Sequence, residues 1–198
     1  IANVIILYKN TVFDMSYAEL HCLSNYSFLR GASHPSELVE QAVHLGYSAL
    51  AITDECSLAG VVKAHVVAKE LDFKLIMGSE FNVSEGLKLV AIAPSRAAYG
   101  ELSNLISRSR RRSEKGQYLT HLRDIYFHLK RCFIIWLPTH IDEEKHHADI
   151  LSRRFADRFW IGVTQLLHHD DTTRLTELQQ IASELKAPLI ACGSVEMH

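Results

Sequence analysis

The sequence lacks a large net charge, long apolar runs and the features of a signal peptide, and each absence excludes a class of protein. Its formal net charge is only −2 over 198 residues, which excludes a global field that would attract nucleic acid or an anionic membrane, so any contact with nucleic acid must be local. Its apolar runs are short, and even the opening IANVIILY is too short to cross a bilayer. That segment also lacks the basic leader and cleavage site of a signal peptide. We therefore expect a cytoplasmic protein with no membrane partner.

Cysteine is also scarce, and no pair has the CxxC spacing of a zinc knuckle or a redox motif. Each cysteine lies in or beside an apolar run, so we interpret all of them as small core residues of a reduced protein. They are Cys22, Cys56, Cys132 and Cys192.

Short apolar runs alternate along the chain with amphipathic stretches, which predicts about seven strands, most of them followed by a helix. Several of the strands, such as SALAIT and CFIIWL, are apolar throughout. This pattern indicates burial on both faces, as in a parallel sheet covered by helices. The sheet could close into a barrel or stay open, and in either case a site belongs at the carboxyl ends of the strands.

Polar side chains follow several of these predicted strands. Carboxylates and imidazoles gathered at one rim could bind a divalent metal. From spacing alone we favour the plainer interpretation, that these are loop polar groups satisfied by backbone and water. The residues in question are His21, Asp54, Glu55, Glu80, His140, Glu196 and His198.

Longer motifs add a resemblance. The stretches AELHCLSNYSFLRGAS, ITDECSLAGVV, SRSRRRSEKGQY and PLIACGSVEMH resemble the PHP (polymerase and histidinol phosphatase) domain of bacterial C-family DNA polymerases, and within it the error-prone branch. The resemblance implies a distorted seven-stranded β/α barrel, similar to a TIM barrel. It also implies that residues 15–198 are the N-terminal part of a larger polymerase, with residues 1–14 an upstream extension or remnant.

The resemblance also implies where metal ligands would lie, and some of these positions keep a usable side chain. His21 begins a His-x-His motif and Glu80 completes a Gly-x-Glu motif. Glu55 and Glu196 offer oxygen where the family has histidine, and we interpret all four as remnants of a metal site. Further candidates are His140 and His198.

Other ligand positions carry side chains that cannot bind a cation. Arg30 replaces an acidic residue, and a guanidinium repels a metal ion. Because two cations are built into the rim, we expect Arg30 or Lys88 to pair with the remaining carboxylates in place of a metal. The replaced positions are Leu23, Arg30, Lys88 and Ser194.

A basic run lies at the end of the third predicted helix and in the loop after it. It could simply complement the negative end of the helix dipole, or it could contact DNA phosphates or dock onto the rest of the polymerase. The run comprises Arg108, Arg110, Arg111, Arg112 and Lys115.

These observations support two hypotheses. In the first, the chain is a catalytically degenerate scaffold or interaction module of an error-prone DNA polymerase active in translesion synthesis and damage-induced mutagenesis. It would have no cofactor and no polymerase activity of its own, and its partners would be the rest of the polymerase chain, with DNA and other mutasome proteins as further candidates. In the second, it is an active zinc- or manganese-dependent phosphoesterase, such as a 3′–5′ exonuclease.

Overall fold

Seven strands form one sheet that curls into a nearly closed barrel, in a computed structural model that describes residues 17–198. The strands follow chain order around the sheet. They are β1 (Ala18–Cys22), β2 (Ala49–Ile52), β3 (Leu75–Asn82), β4 (Lys88–Ile92), β5 (Phe133–Trp136), β6 (Phe159–Val163) and β7 (Leu189–Ala191). The predicted upstream extension, residues 1–14, lies outside the described residues.

Six helices connect the strands, each at or near the position that the amphipathic pattern predicts. They are α1 (Pro35–His44), α2 (Val61–Glu70), α3 (Arg96–Arg111), α4 (Leu122–His128), α5 (Ile141–Arg154) and α6 (Asp171–Leu185). No helix in residues 17–198 is long and apolar enough to cross a membrane.

One strand departs from the parallel arrangement that the apolar pattern predicted. β4 pairs antiparallel with both β3 and β5. Only five residues separate Asn82 from Lys88, and a parallel crossover needs a dozen or more. The connection is therefore a hairpin, with Gly86 at a φ of 93°, a conformation that glycine adopts without strain.

The barrel closes between its first and last strands through a buried carboxylate. Cys22 and Val195 form an isolated parallel bridge, and the backbone N–H of Gly193 donates to both oxygens of Glu19 at 2.9 Å. A Cβ on Gly193 would lie 2.1 Å from a Glu19 oxygen, so only glycine allows this approach. The closure brings the segment after β7 beside the carboxyl end of β1.

The core lies between the barrel and its helices, with Trp136 and Phe81 among the largest fully buried side chains. All four cysteines are free and buried, which confirms their interpretation as core residues. Ser33 does not cap α1. His34 precedes the helix instead, and its N–H donates to Glu37 at 2.7 Å.

Candidate functional site: a rim of carboxylates around one arginine

The carboxyl ends of β1 and β3 bring His21 and Glu80 together at the rim. His21 Nε2 lies 2.7 Å from Glu80 Oε2, and both side chains are almost fully buried. A carboxylate only accepts, so Nε2 carries the proton in this contact. The two family ligands that the sequence retains therefore bind each other.

Arg30 reaches the rim on a loop that Asp54 holds in place. The carboxylate of Asp54 is fully buried and accepts hydrogen bonds from the N–H and hydroxyl of Ser24 and from the hydroxyl of Ser27, each at 2.8 Å. The loop then turns so tightly that a Cβ on Gly31 would lie 2.0 Å from the Ser24 carbonyl oxygen. The aspartate of the predicted Thr-Asp-Glu motif thus orders the loop that carries Arg30.

The guanidinium of Arg30 lies among three carboxylates. Its Nη1 donates to Glu55 Oε2 at 2.7 Å and also to Glu80 Oε1, and its Nη2 donates to Glu80 Oε2 at 3.2 Å. Glu196, which is half exposed, lies at the edge of this group, 3.5 Å from Nη2. Of the two cations that the sequence offered as partners of the rim glutamates, Arg30 is the one that contacts them.

Two residues that sequence reasoning missed complete the site around Glu55. Tyr118 Oη and Asn82 Nδ2 donate to Glu55 Oε1 at 2.7 and 2.6 Å. Arg110 packs over the ring of Tyr118 and donates to the backbone carbonyls of Glu55 and Cys56. Tyr118 is 63 residues from Glu55 along the chain. It ends the motif SRSRRRSEKGQY, but nothing in that motif indicated a contact with Glu55.

The pKa values report how strongly these carboxylates are held in their charged form. Burial alone would raise the pKa of Glu80, but hydrogen bonds from His21 and Arg30 outweigh it and lower that pKa to about 2. For Glu55, burial is likewise outweighed by hydrogen bonds from Tyr118, Arg30 and Asn82, and the pKa is lowered. Burial disfavours the charged form of Arg30, yet its carboxylate partners raise its pKa.

The residues at this rim do not fit the metal ions that the family resemblance implies. Every carboxylate oxygen of Glu55 and Glu80 already accepts from a protein donor. Within residues 17–198, no three His, Cys, Asp or Glu side chains are grouped so that they could hold a metal ion. His21 Nδ1 is buried without a partner, but a metal centre needs three or four converging ligands.

Other predicted rim residues lie outside the Arg30 cluster. Leu23 is a core residue, 1% exposed, and Ser194 adopts a φ of 54° just after β7. His198 lies in the same segment after β7 and makes no hydrogen bond or ion pair with the glutamates of the cluster. His198 Nδ1 instead lies 2.6 Å from the Ser33 hydroxyl. His140 is an exposed residue that precedes α5.

The prediction that Lys88 also pairs with these glutamates was wrong. Lys88 is opposite Asn82 in the β3–β4 hairpin, two residue pairs beyond the pair of Glu80 and Val90. That offset places it about 7 Å farther along the strand. Lys88 forms no ion pair with any residue in the described part of the chain.

The basic run divides into engaged and free side chains. Arg110 supports the rim, and Arg112 makes a two-pronged ion pair with Asp124 at 2.5 and 3.2 Å. Arg108, Arg111 and Lys115 are exposed and have no acidic partner among residues 17–198.

A separate apolar cavity of about 780 Å³ lies away from the rim. Phe133 and Ile92, which line it, lie where β5 begins and the antiparallel β4 ends, so the cavity opens at the opposite end of the barrel. Its lining is almost entirely apolar, and it shares no residue with the Arg30 cluster.

Comparison with known proteins agrees with the fold. The PHP domain family matches residues 19–150. The error-prone DNA polymerases of Saccharophagus degradans and Methylococcus capsulatus are each 52% identical over 93% and 92% of this chain. The chain spans only 18% and 17% of the length of those two relatives.

Solved structures show the same architecture at low sequence identity. A proposed metal-dependent phosphoesterase from Bifidobacterium adolescentis aligns over 91% of this chain and 88% of its own, with a TM-score of 0.65 and 15% identity. An amidohydrolase from Chromobacterium violaceum, with bound sulfate and no metal, aligns over 92% and 88% with the same TM-score and 14% identity. At this identity the likeness shows the fold alone.

Proposed function

The chain belongs to the PHP domain family, and on that premise we propose that it is the N-terminal domain of an error-prone DNA polymerase and acts there as a scaffold that does not use a metal. The observation that supports this most strongly is the position of the Arg30 guanidinium, bonded to Glu55 and Glu80 where the family places metal ligands. A guanidinium supplies positive charge to these carboxylates, but it has no open coordination position at which a water could become a hydroxide nucleophile.

The scaffold role follows from how the rim is tied together. Arg30 joins a loop after β1 to the ends of β2 and β3 and to the segment after β7. In a hydrolytic centre, metal ions would join these elements. Here hydrogen bonds and ion pairs of Arg30 join them. The partner of such a scaffold is the rest of the polymerase chain, which is most of the length of the relatives.

The wider setting is part of the same proposal. A domain so similar to error-prone DNA polymerases would serve an enzyme that copies damaged templates in the cytoplasm, as a nucleotidyltransferase of translesion synthesis, repair and induced mutagenesis. Other mutasome proteins are further candidate partners.

A hydrolysis assay tests the absence of catalysis. The purified chain is incubated with zinc or manganese and either a phosphodiester or a 3′-recessed oligonucleotide as the substrate. We expect no turnover above that of the His21→Ala variant. Turnover in the wild-type chain that a chelator abolishes and His21→Ala lacks would instead establish the alternative, a metal-dependent phosphoesterase or 3′–5′ exonuclease.

A second assay tests the scaffold role in the full-length polymerase. Arg30→Met should lower the temperature at which primer extension is lost, without changing the extension rate at low temperature. Arg131→Met, which removes an exposed pair with Glu101, is the matched control and should change neither. An unaltered inactivation temperature for Arg30→Met would contradict the scaffold role.

A further inference from the structure

A polar groove of about 830 Å³ runs along the exposed side of α3, away from the Arg30 cluster. Its lining is rich in hydrogen-bond donors, and Tyr99 lies nearest the start of the helix. The residues that matter here are Tyr99, Ser103, Asn104, Ser107, Arg108 and Arg111. All of them except Tyr99 are exposed.

The helix orients the arginine donors outward. Arg108 Nε donates to Asn104 Oδ1 at 2.8 Å, one turn earlier on α3. This bond leaves both Nη groups of Arg108 and the Nδ2 group of Asn104 without a partner among residues 17–198. Arg111, one turn later, also makes no hydrogen bond there. A guanidinium held at its Nε presents its remaining N–H groups as a fork that matches two oxygens of a phosphate.

No acidic side chain in residues 17–198 lines the groove. Glu101 is the sole carboxylate of α3, and it is bound to the backbone N–H and Nη1 of Arg131 at 2.8 and 2.5 Å. A favourable interaction with the helix dipole would explain arginines in the last turn. It does not explain why Arg110 and Arg112 have backbone carbonyl or carboxylate partners while Arg108 and Arg111 have neither among residues 17–198.

We propose that this groove binds the phosphodiester backbone of single-stranded DNA, with Arg108 and Arg111 on successive phosphates. Guanidinium, amide and hydroxyl donors are the groups that contact phosphates without reading sequence. Tyr99 packs partly against the core and also lines the groove. An aromatic ring in the groove favours a single strand over a duplex, because only unpaired bases are free to stack on it. The choice of DNA rests on the proposed function, whereas the groove and its free arginines do not depend on the Arg30 cluster.

Fluorescence anisotropy with a labelled oligothymidylate of about 15 nucleotides tests the proposal with the 198-residue chain, over a range of about 50 to 200 mM salt. Each phosphate contact contributes about 0.7 to the salt slope for a single strand, which is about an 8-fold loss of affinity per contact removed at the low-salt end. The Arg108→Gln/Arg111→Gln variant should therefore bind tens of times more weakly and lower the slope by about 1.4. Circular dichroism confirms that the variant is folded.

Matched variants separate phosphate binding in the α3 groove from a general effect of charge. Lys145→Gln/Arg153→Gln removes the same charge from exposed positions on α5 and should leave affinity and slope unchanged. Arg30→Met should also leave them unchanged at a temperature where it is folded, so that failure of this inference is distinct from failure of the proposed function. No binding by the wild-type chain at low salt, a loss in the α5 variant equal to that in the α3 variant, or a duplex that binds at least as tightly would each overturn the proposal.

Discussion

Replacing Arg30 with methionine tests how much the guanidinium contributes to stability. The substitution keeps the apolar part of the side chain but leaves the Glu80 carboxylate, which is 0% exposed, with His21 as its remaining partner. Removing one member of a buried ion pair costs about 3–5 kcal/mol, because the other charge stays buried. The Arg30 side chain is 26% exposed, so water can partly replace it, and we expect about 3 kcal/mol.

Thermal and urea denaturation of the purified chain, followed by circular dichroism, measure this loss. For a domain of this length, about 3 kcal/mol lowers the Tm by roughly 6–12 °C. Arg131→Met is the matched control, because Arg131 is 62% exposed in its pair with Glu101 and should contribute about 0–1 kcal/mol. Arg30→Lys keeps the charge without the fork and should fall between the two. A loss for Arg30→Met no larger than that for Arg131→Met would refute the reasoning.

Three further predictions concern titration, packing and reactivity. The pKa of Glu80 is about 2 against an ordinary 4.5. The ionised carboxylate therefore contributes to the free energy of unfolding above pH 4.5, and this contribution is lost as the pH falls towards 2. Urea denaturation should show the stability difference between wild type and Glu80→Gln shrinking over that range. Glu144 is buried and accepts hydrogen bonds from Trp136 Nε1 at 2.6 Å and from the loop before α5. Glu144→Ala should therefore lower the free energy of unfolding by about 2–3 kcal/mol and shift the tryptophan fluorescence. An unchanged spectrum would contradict the contact with Trp136. Burial raises the pKa of every cysteine thiol, so a thiol reagent should find none reactive in the native chain and four after denaturation.

The fold was largely predictable because its strands are short, apolar and separated by amphipathic helices. The direction of β4 was the exception. The continuous apolar character of KLVAI indicates burial but not direction. The five residues between Asn82 and Lys88 contain the missing signal, since they are too few for a crossover.

The candidate site was predictable where it rests on motifs. His21, Glu55, Glu80 and Arg30 lie together as the family resemblance implied. The supporting contacts were not predictable, because they join residues distant along the chain, as in the hydrogen bond from Tyr118 to Glu55.

Metal content is the most direct test of the claim that Arg30 replaces the metal ions. The wild-type chain and the His21→Ala variant are dialysed against zinc or manganese, then against metal-free buffer, and the retained metal is measured by mass spectrometry. If Arg30 replaces the metal ions, the wild-type chain retains no more metal than His21→Ala, far below one ion per chain. Stoichiometric zinc or manganese in the wild-type chain, absent from His21→Ala, would contradict it.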